Sequence, residues 1–157
     1  MVDTAILRAI LTSYADRVGT ELIPRSGDDL LDSHALDSSA MVILCHDGGA
    51  DPVFVYANEA AATLWRMSVT ELIGLPSRMT APAEHQEQRH SALSTAMSAG
   101  VLFGYSGERI ARDGTRFMIR HAVLWTVDGL AGGPGQAAMF TDWEHLDGER
   151  LSRERLE

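Results

Sequence analysis

Two strand-like runs joined by the turn Arg112-Asp113-Gly114-Thr115 constrain this 157-residue chain more than any other feature. An Asp-Gly pair between two alternating segments is a strong signal for a β-hairpin. In the second run, residues 116–125, apolar side chains fall on both alternating faces, so neither face suits water. We therefore expect a sheet that is covered on both sides, by a helical cap on one side and by an N-terminal helix or a second subunit on the other.

The rest of the chain supplies the other strands and the cap. Residues 41–45 form a short apolar run suited to a buried strand, and turn-forming residues lead into a second strand at 52–56. Asn58 is placed to cap a short helix, and a longer helix runs from about residue 82 to residue 99. A glycine-rich connection then leads to a last strand that starts at residue 136. This order predicts a domain of the α+β class.

The first segment predicts an amphipathic helix that ends near Gly19. Its apolar residues recur at helical spacing: Ile6, Leu7, Ile10, Leu11, Tyr14 and Val18. Such a stripe shows only that something covers it, so packing on the chain's own domain and dimerisation across the outer face of the sheet are both open. We divide the chain into an N-terminal helix with a polar connector at 1–40, a sheet domain at 41–144 and a charged C-terminal tail at 145–157.

Charge and composition exclude several classes of function. The net charge of −9 disfavours binding to nucleic acid or to an anionic membrane surface. Cys45 is the single cysteine, so no internal disulfide or cysteine-rich zinc site can form. No apolar run reaches membrane-spanning length and no signal peptide is present, from which we expect a cytoplasmic location. No catalytic elbow, cysteine pair or metal-ligand spacing appears, so we expect neither an enzyme nor a metal site.

Three stretches resemble the MEKHLA branch of PAS-like domains: residues 51–58 (DPVFVYAN), 75–81 (LPSRMTA) and 135–138 (GQAA). This branch occurs as small stand-alone bacterial proteins and at the end of plant homeodomain–leucine-zipper transcription factors. The resemblance implies a PAS-like five-stranded antiparallel sheet with a helical cap, next to the N-terminal amphipathic helix. It also implies a role in sensing or protein interaction, and it identifies no ligand or cofactor.

The residues can be tested against the cofactors of other PAS-like sensors. Light-sensing LOV domains form a flavin adduct with a cysteine at the position that corresponds to Ser77, where a hydroxyl cannot do thiol chemistry. The asparagines and the glutamine that contact the flavin ring in LOV domains correspond to Arg109, Ile119 and Phe140 in this chain, so these polar contacts are lost or changed. We therefore expect no LOV photocycle. Haem-binding members of the fold use a histidine on or near the long helix, and His90 is the candidate for that role.

Two polar residues are predicted to face the cavity between sheet and cap. Strand alternation places Arg109 and His121 on the inward side. The other predicted lining residues are Trp65, Met79, Met97, Tyr105, Ile119 and Met139. A guanidinium that is buried unpaired costs several kcal/mol, so Arg109 either grips an anionic ligand, pairs with Glu59 or Glu71, or lies exposed at a strand edge. Structural pairing is the more common use of arginine and is the favoured option here.

These features predict a sensory or interaction module that binds a small ligand and signals through an unknown partner protein or through rearrangement of a homodimer. The predicted dimer contact is the N-terminal helix with the sheet face. Two alternatives stay open. One is a carrier that binds a small molecule without signalling, and the other is a haem-binding sensor that uses His90.

Overall fold

An antiparallel sheet with one helix on its outer face and short helices on its inner face organises the chain in a computed structural model, which describes residues 3–146. The helices are α1 (Thr4–Val18), α2 (Asp29–Asp37), α3 (Glu59–Trp65), α4 (Val69–Leu72) and α5 (Gln86–Ala99), with 3-10 turns at Ser77–Thr80 and Ala83–His85. The strands are β1 (Val42–His46), β2 (Phe54–Ala57), β3 (Val101–Ile110), β4 (Arg116–Val127), β5 (Gly135–Phe140) and β6 (Asp142–Leu146). The sheet order is β2-β1-β5-β4-β3, with β6 paired to β4. The predicted α+β fold with an antiparallel sheet is confirmed.

The sheet has six strands instead of the predicted five because its last strand is interrupted. Val123 of β4 pairs with Met139 of β5, and Arg120 of β4 pairs with Asp142 of β6. The register therefore continues across the break, and β5 and β6 act as two halves of one strand. The break lies beside His121, whose φ of 55° is in the left-handed region.

Helix α1 covers the outer face of its own sheet. It begins after Asp3, whose carboxylate accepts a hydrogen bond from the Ala5 N–H, and it ends at Gly19 with a left-handed φ of 91°. The apolar stripe predicted from the sequence packs on Ile43, Cys45 and other sheet residues, and all of it is buried except Ile6 and Val18, which are partly buried. The structure thus shows the first of the two open options, packing on the chain's own domain, and dimerisation through this face stays a prediction.

Helix α2 lies where the sequence predicts only a polar connector. The Asp28 side chain caps it by accepting hydrogen bonds from two backbone N–H groups of its first turn. Periodicity misses this helix because Leu30 and Leu31 point to solvent, with 74% and 61% of their surface exposed, and among the leucines of α2 only Leu36 is buried. The Asp28 cap therefore starts α2 although the helix has no apolar stripe.

The charged C-terminal tail and the domain boundaries remain predictions from the sequence. Residues 147–157 of the predicted charged tail lie outside the described residues, and the proposed domain boundaries at residues 40 and 144 stay predictions. Within residues 3–146, none of the helices combines the length and the apolar character that crossing a membrane requires.

Candidate functional site

A cavity of about 50 Å³ lies between α5 and the inner face of the sheet. Most of its walls are apolar: Leu44, Phe54, Trp65, Leu93, Ile119, Ala122, Leu124, Ala137, Ala138 and Phe140. The remaining lining residues are polar: His46, Thr80, Arg89, Tyr105, Arg109 and Gln136. An apolar space with a few convergent polar groups is the usual form of a small-molecule site, so this cavity is the candidate functional site.

Helix α5 is the wall with the weakest attachment. Ala96 is the one residue of α5 that is buried. Gln136 of β5 donates a hydrogen bond to the Leu93 carbonyl at 3.1 Å, and the Thr126 hydroxyl lies 3.3 Å from the sulfur of Met97. Elements with few buried contacts belong to the part of a fold that opens most easily.

Arg109 on β3 is buried beside the cavity, with 6% of its surface exposed. Its guanidinium donates hydrogen bonds to the carbonyl oxygen of Glu108 and to the hydroxyl of Tyr105, both at 2.9 Å. The favoured prediction of an ion pair with Glu59 or Glu71 is wrong. Glu71 completes the α4 capping box and pairs with Arg112, and no carboxylate in residues 3–146 lies within ion-pair distance of Arg109.

Arg89 on α5 lines the same cavity and has even fewer partners. It makes no hydrogen bond or ion pair with any described residue, and its Nε is buried. Burial, and next the positive charge of Arg109, lower the pKa of Arg89 from 12.5 to about 10. Arg89 lies four residues before Leu93 and therefore on the same helix face, but it was not among the residues predicted to line the cavity.

His46 and Trp65 add two more unpaired polar atoms. The Nδ1 of His46 lies 2.8 Å from the carbonyl oxygen of Asp47, which can only accept, so Nδ1 carries the proton. Burial is the main cause that lowers the pKa of His46, which favours the neutral ring. Its Nε2 is then a hydrogen-bond acceptor, and like the Trp65 indole N–H it is buried without a partner in the described part of the chain.

The comparison with protein families decides the identity of the fold. Residues 4–145 match the family model of the MEKHLA domain. The chain belongs to the MEKHLA domain family. The resemblance carried by the three sequence stretches is thereby confirmed, and the match includes α1 and α2. No curated protein matches the sequence.

Solved structures show that this MEKHLA domain has the fold of PAS domains. The PAS domain of a protein from Colwellia psychrerythraea has a TM-score of 0.60 at 20% identity, covering 71% of this chain and 95% of that chain. An RNA-binding light-oxygen-voltage (LOV) receptor has a TM-score of 0.61 at 23% identity, covering 87% of this chain and 38% of the receptor. The Rhodobacter sphaeroides LOV protein has a TM-score of 0.57 at 16% identity, covering 78% and 69%. At such identities the likeness shows the fold alone.

The flavin that LOV domains bind does not fit this MEKHLA domain. Ser77 lies in a 3-10 turn, where its carbonyl accepts a hydrogen bond from the Thr80 hydroxyl, and it offers no thiol. The single thiol, on Cys45, packs under α1 on the other face of the sheet. Pockets for organic ligands enclose roughly 300–1,000 Å³, whereas this cavity measures about 50 Å³.

The histidines and acids near α5 offer little to haem or to a metal ion. His90 is exposed on α5 and does not line the cavity, so the haem alternative loses the ligand on which it was based. The possible ligand atoms of Glu84, His85 and Glu108 lie within 4.8 Å of one another. Arg116 donates to both of these carboxylates, so a guanidinium already occupies oxygens that a metal ion would need.

The structure brings together half of the predicted lining residues. Trp65, Tyr105, Arg109 and Ile119 line the cavity. The other four do not. Met79 is 50% exposed beside Arg78, Met97 contacts Thr126 at the edge, and Met139 packs towards α1. His121 points to solvent with 77% of its side chain exposed, and its Nδ1 lies 2.7 Å from a carboxylate oxygen of Asp142.

The left-handed backbone of His121 explains why this residue itself points to solvent. Before it, Phe117 and Ile119 face the inner side of the sheet. After it the alternation moves by one residue, so Ala122 and Leu124 face the cavity and Trp125 packs against α1. A period of two that is projected across this point puts His121 on the wrong side. Histidine is one of the residues enriched at positive φ, but the sequence alone does not mark the position.

We expect His121→Val to lower the free energy of unfolding by about 1–2 kcal/mol, because a β-branched residue at positive φ is strained. Chemical denaturation measures the loss. Arg120→Val is the control, since Arg120 is the preceding β4 residue and has no left-handed backbone. Equal losses in the two variants would show that the side-chain ion pair, and not the backbone, sets the cost at residue 121.

Proposed function

We propose that this MEKHLA domain is a sensory module that binds a small ligand in the cavity under α5 and passes the binding event to a partner protein or to a second copy of the chain. The observation that carries the proposal is a set of buried atoms on the cavity wall without partners: Arg89 Nε, His46 Nε2 and Trp65 Nε1. Buried polar groups in folded proteins are paired in the great majority of cases. A ligand that supplies partners for some of these atoms is therefore favoured over an empty cavity.

The coupling to output in this proposal is a movement of α5. Arg89 belongs to α5, whereas Arg109, His46 and Gln136 belong to the sheet, so a ligand between them joins the helix to the sheet. The free energy of binding can shift α5 only if the ligand contacts it differently in two positions of the helix. The weak attachment of α5 supports such a second position. The predicted cytoplasmic location and homodimer are kept as parts of this proposal.

Ala138→Val tests the cavity itself. Ala138 lies on the central strand β5 and lines the cavity, so added methyl groups fill the space while strand propensity is kept. Native mass spectrometry of the purified protein is expected to show extra mass on the wild type and little on the variant. Ala99→Val, an exposed substitution at the end of α5, is the matched control and is expected to keep the extra mass.

Hydrogen exchange separates the sensor from the carrier. A sensor is expected to show lower amide exchange with the ligand bound than after its removal by unfolding and refolding, both in α5 and in elements that do not line the cavity, such as α1. A carrier binds the same ligand without a change that extends beyond the cavity walls. If the Ala138→Val variant kept the bound mass of the wild type, the ligand would lie elsewhere and the proposal would fall.

A further inference from the structure

We infer that the ligand is a short monocarboxylate, of the size of acetate, held between the guanidinium groups of Arg89 and Arg109. This inference rests on the proposed function, because it assigns a chemical class to the ligand of the same cavity. The chain provides two cations, a neutral acceptor and apolar walls in one small space. Each of these four features excludes some ligands.

The two guanidinium groups select an anion. Both arginines line the same small cavity, and neither is paired with a carboxylate of the described residues. The nearest acid along the strand, Glu108, turns its carboxylate to Arg116 and lies 3.6 Å from His85, so it gives Arg109 only its backbone carbonyl. A buried positive pair without a counter-ion is unfavourable, and an anion between the two groups removes that cost.

The walls select a carboxylate over a tetrahedral oxyanion. A carboxylate has its two oxygens at one end, which match the planar fork of a guanidinium, and a carbon chain at the other end. Phosphate and sulfate carry oxygens in all directions, so some of them would face Leu44, Ala138 and Phe140 without hydrogen bonds. His46 Nε2 is an acceptor in the neutral ring and therefore disfavours a second anionic group at its side of the cavity.

The volume limits the length of the chain. A cavity needs roughly 10–15 Å³ to hold one group of the size of a water molecule. The cavity of about 50 Å³ therefore holds three to five such groups by the same rough scale, which corresponds to acetate or a carboxylate one atom longer. Longer acids would have to displace α5.

Thermal unfolding with matched solutes tests the inference. At equal ionic strength, sodium acetate is expected to raise Tm over sodium chloride by about 5–10 °C when its concentration is about a hundred times Kd. Acetamide has nearly the shape of acetate without the charge and is expected to give little change. Sodium phosphate is expected to give no more than sodium chloride.

Two arginine variants test the same inference by changing the protein instead of the solute. Arg89→Met removes one guanidinium that makes no hydrogen bond within the described chain, so the fold is expected to survive and the acetate effect on Tm to be lost. Arg78→Met is the control, since Arg78 is an exposed arginine paired with Asp51, and it is expected to keep the full effect.

The outcomes separate this inference from the proposed function. Equal stabilisation by acetate and acetamide would overturn the anion assignment while the cavity still binds a small molecule. A larger effect of phosphate than of acetate would overturn the carboxylate class. A full acetate effect in Arg89→Met would show that the anion binds elsewhere. The bound mass of the wild type and of Ala138→Val decides the proposed function independently of all three.

Discussion

Replacement of Asn58 by alanine is expected to lower the free energy of unfolding by about 4 kcal/mol, because it removes four hydrogen bonds to buried or partly buried backbone groups, each at a cost of roughly 1 kcal/mol. Asn58 lies between β2 and α3 and is 1% exposed. Chemical denaturation followed by circular dichroism measures the loss, and an unchanged m-value shows that the unfolded reference is the same.

The size of this effect follows from two roles that one amide combines. Its oxygen accepts from the N–H groups of Ala61 and Ile43, at 3.1 and 3.2 Å. Its nitrogen donates to the carbonyl oxygens of Met41 and Leu36, at 2.7 and 3.2 Å. The side chain therefore caps α3 and also joins the end of α2 to the start of the sheet.

Ser68→Ala is the matched control for the Asn58 variant. Ser68 caps α4 at an exposed position, so its loss is expected to cost about 1 kcal/mol. Asn58→Asp keeps the acceptor of the cap but turns an oxygen towards two carbonyl groups, and it is expected to be destabilised well beyond the Ser68 variant. If Asn58→Ala cost no more than Ser68→Ala, the amide would be a helix cap and nothing else.

Short sequence patterns correctly predicted the helix caps and the hairpin turn, because these features depend on residues that are neighbours in the sequence. The capping box of Ser68 and Glu71 forms with both of its hydrogen bonds, and Gly114 turns the hairpin with a φ of 89°. Asn58 caps α3 as expected, but its two donor bonds join segments 17 and 22 residues away. No local pattern contains those partners, so the sequence predicted the cap and missed the larger role.

The stretches that resemble the MEKHLA family have physical reasons of their own. A Cβ on Gly135 would lie 2.3 Å from the carbonyl oxygen of His46, so only glycine lets β5 approach β1 there. Leu75 and Ser77 bond the free edge of β2, through Phe54 N–H to the Leu75 carbonyl at 3.1 Å and through Ser77 N–H to the Pro52 carbonyl at 2.8 Å. These stretches therefore identify the fold more strongly than they identify a ligand.

The candidate site was harder to predict, because its geometry depends on one backbone angle and on a helix position. Alternation placed Arg109 and Ile119 correctly, and it failed for His121, where the left-handed residue interrupts β4. Arg89 was missed as a lining residue although it shares a helix face with Leu93, because a charged side chain on a mostly polar helix is expected to face solvent. Pairing of Arg109 was predicted from what arginines usually do, and only the folded chain shows that none of the carboxylates in residues 3–146 is its partner.

Replacement of Trp125 by alanine is expected to lower the free energy of unfolding by about 3–5 kcal/mol, because a large buried side chain leaves a cavity that α1 cannot fill. Trp125 is fully buried on the outer face of the sheet. The ring of Tyr14 on α1 meets it edge-on, with the ring centres 4.8 Å apart. Trp143→Ala is the control, since Trp143 is 38% exposed, and it is expected to cost about 1 kcal/mol.

The same variant also tests which chain covers the sheet. If α1 packs on its own sheet, the loss in Trp125→Ala is the same at two widely separated protein concentrations, since folding and cover are one unimolecular event. If α1 crosses to a second copy, the unfolding midpoint of the wild type rises with protein concentration and the variant loses that dependence. The first result would place the predicted homodimer on another surface, and the second would support the contact between the N-terminal helix and the sheet face. Because α1 and α5 cover opposite faces of the same strands, the answer also decides whether a ligand under α5 can reach a second subunit directly through the sheet.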